Sequence, residues 1–369
     1  MRCHRAWRKI TVLLVLLFGL LLISIPNNQF IYKQIKSLWT RAPSVKAAIT
    51  NATDNSTAYG VNVDITSMLP GTAYTITTAS GGDFFDLAAQ LGINTLRITD
   101  ISWEMTGKEY SQAAWQHVFD RAEHYHMKII LLLMDGNGQP VSQQAHTLLG
   151  NYGLAHSSAL WMVDLYNEPD VSDTRLVETL REEATYIHQV APTVHITIGG
   201  WKSQVPGHPG EVRWQDPRDI PGIINLVDVV SPHLYEFEEG MHLGFTPQKW
   251  TQRYLSQVRQ QALHKPILLE EFGAGNGLAP TISASATGSL TWQDSVYQGV
   301  LQEVSAERNQ GVIGAVAWII TPRPAWPHPG PGNYEGNMVG WAFVLNQGNH
   351  LLPAAKEFLA AAAKHVRSR

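Results

Sequence analysis

Leu160-Trp-Met-Val-Asp164-Leu-Tyr-Asn167-Glu168-Pro169 is a short apolar run, Leu160 to Tyr166, that ends abruptly in polar residues. A longer amphipathic segment, Thr174 to Val190, follows it. The same alternation recurs on both sides of this stretch. Strand-like runs lie at Gly60 to Ile65, Thr95 to Thr99, Lys128 to Met134, Leu160 to Tyr166, His195 to Gly199, Val227 to Ser231, Pro266 to Glu270 and Gly314 to Ile320. Helical candidates between them include Ser111 to His126, Thr174 to Val190, Pro247 to Leu263 and Trp292 to Asn309, and Leu352 to Val366 closes the chain. Such a pattern argues for parallel strands covered by helices. Eight βα units in roughly 310 residues fit an α/β fold of the (β/α)8 TIM barrel type, about 250 residues long with loop insertions. A doubly wound open sheet would announce a Gly-rich loop after its first strand, whereas Ile65 is followed here by Thr-Ser-Met-Leu-Pro-Gly71.

Composition agrees with a large packed domain. Of 369 residues, 44% are hydrophobic and 16% charged, which excludes a disordered chain. The 27 basic and 31 acidic residues are unevenly placed: eight basic residues precede the first acid, Asp54, leaving 19 basic against 31 acidic beyond it. An acidic domain argues against a nucleic-acid partner, because phosphate binding is driven by Lys and Arg. Cys3 is the only cysteine, so neither an internal disulfide nor a cysteine metal site can form.

Arg2, Arg5, Arg8 and Lys9 precede an uncharged run from Ile10 to Ile25, the layout of a signal peptide or an uncleaved anchor. The run is slightly short for a span of about 20 residues. No small-x-small cleavage site follows it closely, which favours the anchor. Three regions are therefore expected: a signal or anchor over 1–26, a polar stalk over 27–57, and a barrel over 58–369. Asn51-Ala-Thr53 and Asn55-Ser-Thr57 in the stalk are formal glycosylation sequons. The expected location is extracytoplasmic, membrane-anchored or secreted, with the membrane met through the N-terminal segment.

In a (β/α)8 barrel the chemistry sits at the C-terminal tips of the strands. Arg97 lies on the second strand, Asp135 and Asn137 follow the third, and Asn167-Glu168 end the fourth. Gly199-Gly200-Trp201 end the fifth, His233 and Tyr235 follow the sixth, Glu270-Glu271-Phe272-Gly273 end the seventh, and Trp318 lies on the eighth. Glutamates at the tips of strands four and seven would face each other across the mouth. Paired carboxylates are what glycosidic cleavage requires: one protonates the leaving oxygen while the other attacks or activates water. Strand alternation lets only one of Glu270 and Glu271 face the pocket. Arg97 and the Tyr235 hydroxyl would keep a nucleophile ionised, while burial and a neighbouring carboxylate would keep an acid protonated near neutral pH.

Asn167-Glu168-Pro169, His233-x-Tyr235, Glu271-Phe272-Gly273 and Trp318 together resemble the clan A glycoside hydrolases, most closely family 5 of the cellulase and β-mannanase type. The resemblance spans all eight strands. It implies that Glu168 is the acid/base and Glu271 the nucleophile of a retaining double displacement, with Asn167 holding a sugar 2-hydroxyl. By the same pattern Glu271, not Glu270, is the nucleophile, and Glu270 is expected to point sideways into a salt bridge or the helix layer. One departure concerns the third strand, where family 5 often carries a histidine and this chain has Asp135 and Asn137.

The supporting residues have ordinary readings too. Arg97 could serve a structural ion pair, His233 could be a satisfied core histidine, Trp318 could be core, and Asp135 could form a turn or cap a helix. Trp103, Trp201, Trp326 and Trp341 are loop aromatics able to pack or to carry a sugar. The chain has 15 histidines, but none stands in a His-Glu-x-x-His arrangement, and His124 and His126 would diverge on a helix. Neither a metal nor another cofactor is expected. The expected activity is thus hydrolysis of β-glycosidic bonds in a polysaccharide or oligosaccharide of β-mannan or β-1,4-glucan type. A transglycosylase would use the same residues, and a silent carbohydrate-binding barrel is the alternative from another class.

Overall fold

The computed structural model describes residues 57–369 apart from 73, 79, 101, 104–106, 134–139, 209–210, 279–287, 322–340, 346–349 and 368–369. The N-terminal hydrophobic segment, the sequon asparagines Asn51 and Asn55, Asp135, Asn137 and Trp326 lie outside the described residues. Among those described, no helix is long and apolar enough to cross a membrane.

Ten strands organise the site. They are β1 (Ala58–Asp64), β2 (Thr95–Thr99), β3 (Lys128–Leu132), β4 (Leu160–Asn167), β5 (His195–Gly199), β6 (Lys202–Gln204), β7 (Val212–Trp214), β8 (His233–Leu234), β9 (Ile267–Phe272) and β10 (Val312–Ala317). Eight form one sheet in the order β5-β4-β3-β2-β1-β10-β9-β8, with every pairing parallel, and β6 and β7 form a separate antiparallel hairpin. A parallel bridge between Gly199 and Ser231 closes the ring. This is the (β/α)8 barrel expected from the alternation.

The sixth strand differs from its expected Val227 to Ser231. That segment bonds on both sides, Val229 N donating to Ile196 O and Val230 N to Pro266 O, but the regular ladder forms at His233–Leu234. Pro232, which has no N–H to give, separates the two parts. One helix not anticipated, Phe84–Gln90, lies between β1 and β2. Asp83 caps it, accepting from Phe85 N and Asp86 N, while the Asp86 carboxylate accepts in return from Asp83 N. Longer helices start on similar signals. Asp173 caps Thr174–Val190, Thr246 followed by Pro247 opens Pro247–Gln261, and Ser289 caps Leu290–Ala306.

Side-chain alternation along the strands divides the interior into two parts. Val61, Val63, Leu96, Ile98, Ile129, Leu131, Val163, Leu165, Ile196 and Ile198 join the main core shared with the helices. Ala58, Ile130, Met162, Val229, Leu268 and Val316 form a second cluster inside the barrel. Continuing that inward phase by two residues reaches polar positions: Asn62 lies beyond Ala58 and Gly60, Asp164 beyond Met162, Ser231 beyond Val229, and Glu270 beyond Leu268. An apolar plug thus floors a polar mouth, as the layered filling of such barrels requires.

Candidate active site

Arg97 is the centre of the mouth. Its side chain is fully buried, and its donors fan out to four acceptors on three other strands, β1, β4 and β9. Nε and Nη2 reach Asp164 Oδ2 at 3.0 and 2.6 Å, Nη2 also reaches Asn167 Oδ1 at 2.9 Å, and Nη1 reaches Asn62 Oδ1 at 2.7 Å and Glu271 Oε1 at 2.5 Å. A planar guanidinium suits this task because its five N–H groups point in fixed directions. Burial works against its charge, yet Asp164, Glu271 and Glu270 outweigh that effect and hold its proton more firmly than usual. Asp164 fills its remaining oxygen with Gly199 N at 2.7 Å and Tyr166 N at 3.3 Å.

Both strands bearing the candidate glutamates carry a bulge beside them. Between β4 and β5 the register shifts from Asp164 opposite Thr197 to Asn167 opposite Gly199, three steps against two. Between β9 and β10 it shifts from Leu269 opposite Ala315 to Phe272 opposite Ala317, again three against two. A bulge bends the strand and re-aims side chains. This overturns the expected exclusion of Glu270 by strand alternation. Glu270 keeps the inward phase of Leu268 and stands 3.5 Å from Arg97 Nε, while the bulge also lets Glu271 reach Arg97. The salt bridge expected of Glu270 is therefore inside the barrel, not in the helix layer. Burial pushes the Glu270 carboxyl well up, with Asp164 adding to the effect, and burial likewise raises Asp164.

Glu168 adopts a left-handed backbone conformation, φ 53°. For a residue with a side chain this is a strained state, costing on the order of 1–3 kcal/mol and typical of functional sites. Its neighbours hold it there: Glu168 N donates to Gly199 O at 2.7 Å, and Lys202 N donates to Pro169 O at 2.9 Å. The Glu168 side chain is 25% exposed, that of Glu271 6%. Glu271 Oε2 accepts from the Tyr235 hydroxyl at 2.5 Å. His233 Nδ1 lies between the carboxylates, 2.9 Å from Glu168 Oε1 and 3.5 Å from Glu271 Oε2. Glu168, His233 and Glu271 each place one ligand-capable atom within 4.8 Å of the others, so this trio is also where a cation could sit. Sequence spacing gave no sign of it, because the three come from separate strand tips.

Two electrostatic features stand out. Burial, then the charge and hydrogen bond of Glu271, push the Tyr235 hydroxyl well up, so it stays a donor. Glu168 departs from expectation. Burial pushes its carboxyl up, but the His233 hydrogen bond and the charges of His233, Arg97 and Lys202 prevail, leaving it below the usual range. These contacts therefore favour ionised Glu168, contrary to the protonated state expected from burial beside a second carboxylate.

The glycines after β5 make room for this cluster. A Cβ on Gly199 would stand 2.5 Å from both Arg97 Nη2 and Asp164 Oδ2. One on Gly200, at φ +66°, would stand 2.6 Å from Gln215 Nε2 and 2.8 Å from His233 Nδ1. Gln215 is a site residue that the sequence did not reveal. It directly follows the β6–β7 hairpin, donates from Nε2 to Glu168 Oε1 at 3.4 Å, and accepts at Oε1 from His233 N at 3.1 Å. Its signal is weak because it lies in an irregular polar insertion with no periodicity.

Of the expected site residues, Arg97, Asn167, Glu168, His233, Tyr235 and Glu271 converge. Trp318 follows β10, is half-buried, and bonds from its backbone N to Phe272 O at 2.8 Å. Trp341 reaches the site through Tyr235, with ring centroids 5.4 Å apart. Trp201 does not present a face to a ligand: it is fully buried and its Nε1 donates to Asp216 O at 2.9 Å. Trp103 is buried as well.

Comparison with known proteins agrees with this architecture. The sequence matches the family model of cellulase (glycosyl hydrolase family 5) over residues 54–319. It is 21% identical over 314 residues to an Arabidopsis thaliana protein named mannan endo-1,4-beta-mannosidase 4, covering 75% of this chain and 74% of that one. Among solved structures, a variant of the family 5 mannosidase from Rhizomucor miehei superposes with TM-score 0.54 and 13% identity, covering 85% of this chain and 95% of that one. The endo-beta-1,4-mannanase from Thermotoga petrophila gives TM-score 0.52 and 16% identity over 85% of this chain and 77% of that one. These structural likenesses establish a shared fold. The family match covers most of the chain, and the protein belongs to glycosyl hydrolase family 5, making it an O-glycosyl hydrolase.

Proposed function

We propose that this protein is a retaining hydrolase of β-linked glycans, with Glu168 as acid/base and Glu271 as nucleophile. The observation that carries this reading is the approach of the two carboxylates, whose oxygens lie within 4.8 Å of one another. Retaining glycosidases hold their carboxyl groups about 5 Å apart, whereas inverting ones leave about 6.5–9.5 Å for an intervening water. Glu271, held by Arg97 and Tyr235, attacks the anomeric carbon. Glu168 gives its proton to the departing glycosidic oxygen, and an ester joins sugar to Glu271. Esterification removes the negative charge of Glu271, so the neighbour that favoured a protonated Glu168 is gone, and Glu168, ionised after giving up its proton, serves as the base that takes a proton from water. The resulting hydroxide equivalent cleaves the ester and frees both glutamates.

Asn167 supports the sugar reading: it is exposed, and with Oδ1 engaged by Arg97 its amide nitrogen is left for a hydroxyl. Trp318 and Trp341 are the aromatics placed to pack against a pyranose. β-Mannan is the first backbone to test, since a relative aligned over three quarters of the chain is named a mannan endo-1,4-beta-mannosidase, with β-1,4-glucan second. The basic and apolar N-terminal segment supports an extracytoplasmic enzyme, anchored or secreted. The test is product release from β-mannan, β-glucan and xylan oligosaccharides beside Glu271→Ala. Release from one backbone that disappears in the variant supports the reading, and equal release by both proteins overturns it.

A further inference from the structure

The largest exposed aromatic among the described residues outside the assigned site is Trp214, 47% exposed at the end of β7. Its surroundings tie it to Glu168. Lys202 is its antiparallel partner across the hairpin, and the Lys202 Nζ lies 5.0 Å from the centre of the indole ring. Lys202 also bonds through its backbone to the segment that follows Glu168, N to Pro169 O at 2.9 Å and O from Val171 N at 2.8 Å. On the other side Trp214 is joined directly to Gln215, whose Nε2 donates to Glu168 Oε1. The hairpin is thus tied to Glu168 and to the residues that follow it through Lys202 on one strand and Gln215 at the end of the other, and among the described residues it has no such bond to Glu271.

We propose that Trp214 is the platform for the sugar unit on the leaving-group side of the scissile bond, with Lys202 holding the indole and offering a donor to a hydroxyl of that sugar. This inference rests on the assignment of Glu168 as the acid. An acid must touch the glycosidic oxygen, so the departing sugar extends past Glu168, the carboxylate that the hairpin region contacts through Gln215 and whose following segment bonds to Lys202. An indole left half exposed on a surface otherwise rich in polar residues loses free energy to water. The apolar face of a pyranose removes that surface while its hydroxyl rim keeps its hydrogen bonds. Lys202 further connects the platform to the chemistry, because its charge is one of those that hold Glu168 below the usual carboxyl range. The occupant is a neutral pyranose continuing the glycan chain, and the same platform would hold an acceptor sugar.

The experiment compares two substrates in the full chain. A β-linked oligosaccharide has a sugar leaving group, whereas the matching glycosyl fluoride places only fluoride there. Trp214→Ala is expected to lower kcat/KM on the oligosaccharide about tenfold more than on the fluoride. Trp214→Phe is expected to recover most of that difference, since a ring remains for stacking. Equal losses on the two substrates would mark Trp214 as structural and overturn the proposal, as would an unchanged kcat/KM on the oligosaccharide. Failure of the underlying assignment reads differently: the unaltered protein would then turn over neither substrate, or Glu168→Ala would turn over the oligosaccharide normally, and the platform would fall with it.

Discussion

Replacing Tyr235 by Phe removes a single oxygen whose partner is known. The hydroxyl donates to Glu271 Oε2 at 2.5 Å, and the ring otherwise packs edge-on against Trp341. Phe keeps the ring, so packing survives and the perturbation is confined to the hydrogen bond. Bonds to charged groups contribute about 1.5–3 kcal/mol. If the loss falls on the attacking state of Glu271, each 1.4 kcal/mol costs about a factor of ten, giving a reduction in kcat of about 10- to 150-fold. The loss has a ceiling because Arg97 Nη1 still holds the other oxygen at 2.5 Å and His233 Nδ1 remains 3.5 Å from the exposed one. Glu271→Ala, by contrast, removes the nucleophile itself and is expected to lose several orders of magnitude. The assay is steady-state kinetics on the best oligosaccharide of the panel, with thermal melts to show that both variants fold. A Tyr235→Phe protein within twofold of the parent, or one as inactive as Glu271→Ala, would refute the reasoning.

Other outcomes follow from the buried charges. Because Glu168 is held below the usual carboxyl range, it loses its proton early, and kcat/KM should fall as pH rises through the acidic range; His233→Ala, which removes the strongest lowering contact, should move that falling limb to higher pH. A profile flat from acid to pH 8 would contradict this. Glu270 shares one guanidinium with Asp164 and Glu271 and is raised well above the usual value by burial, so the folded state keeps a proton that the unfolded state gives up above about pH 4.3. Stability must then decline as pH rises through that window, and Glu270→Gln should make the decline shallower in melts taken from pH 4 to 9. On the outer face, Glu183 is buried with Oε1 unbonded among the described residues, and burial raises its carboxyl to about 7. Glu183→Met should therefore stabilise the fold by about 1–3 kcal/mol at pH 8 and by much less at pH 4.5, as denaturant titrations would show.

Where pattern and end signals agree, the sequence specified the structure closely. β2, β5 and the Thr174–Val190 helix have the bounds that periodicity alone indicates. The helix has a capping Asp173 and buries Leu180, Glu183, Ala184 and Ile187 on one stripe, so local and long-range preferences coincide. Phe84–Gln90 escaped because seven residues give too few turns for a period to register, and its evidence is the Asp83–Asp86 cap. At the site, five of the six residues that converge lie at strand tips, where fold class alone says to look, and Arg97 lies within β2. The errors have local causes. Strict alternation lets only one of Glu270 and Glu271 face the mouth, and the bulge in β9 breaks it so that both reach Arg97. Trp201, which the sequence leaves open to packing or to carrying a sugar, packs: it is buried and its Nε1 donates to Asp216 O. Asp164 and Asn62, to which the sequence reading assigns no role, lie on the inward phase of β4 and β1. Gln215 was not legible, because its position depends on where an irregular insertion folds.

A retaining double displacement requires that one carboxylate, Glu271, bond to the sugar. A fluorinated glycosyl substrate whose enzyme ester hydrolyses slowly, prepared in both the manno and gluco configurations, would be incubated with the protein and the adduct located by peptide mass mapping. The expected result is a single glycosyl adduct on Glu271 that is absent from Glu271→Ala and still forms, more slowly, in Glu168→Ala. An adduct on Glu270 or Glu168, or turnover of natural substrate with inversion at the anomeric carbon, would contradict it.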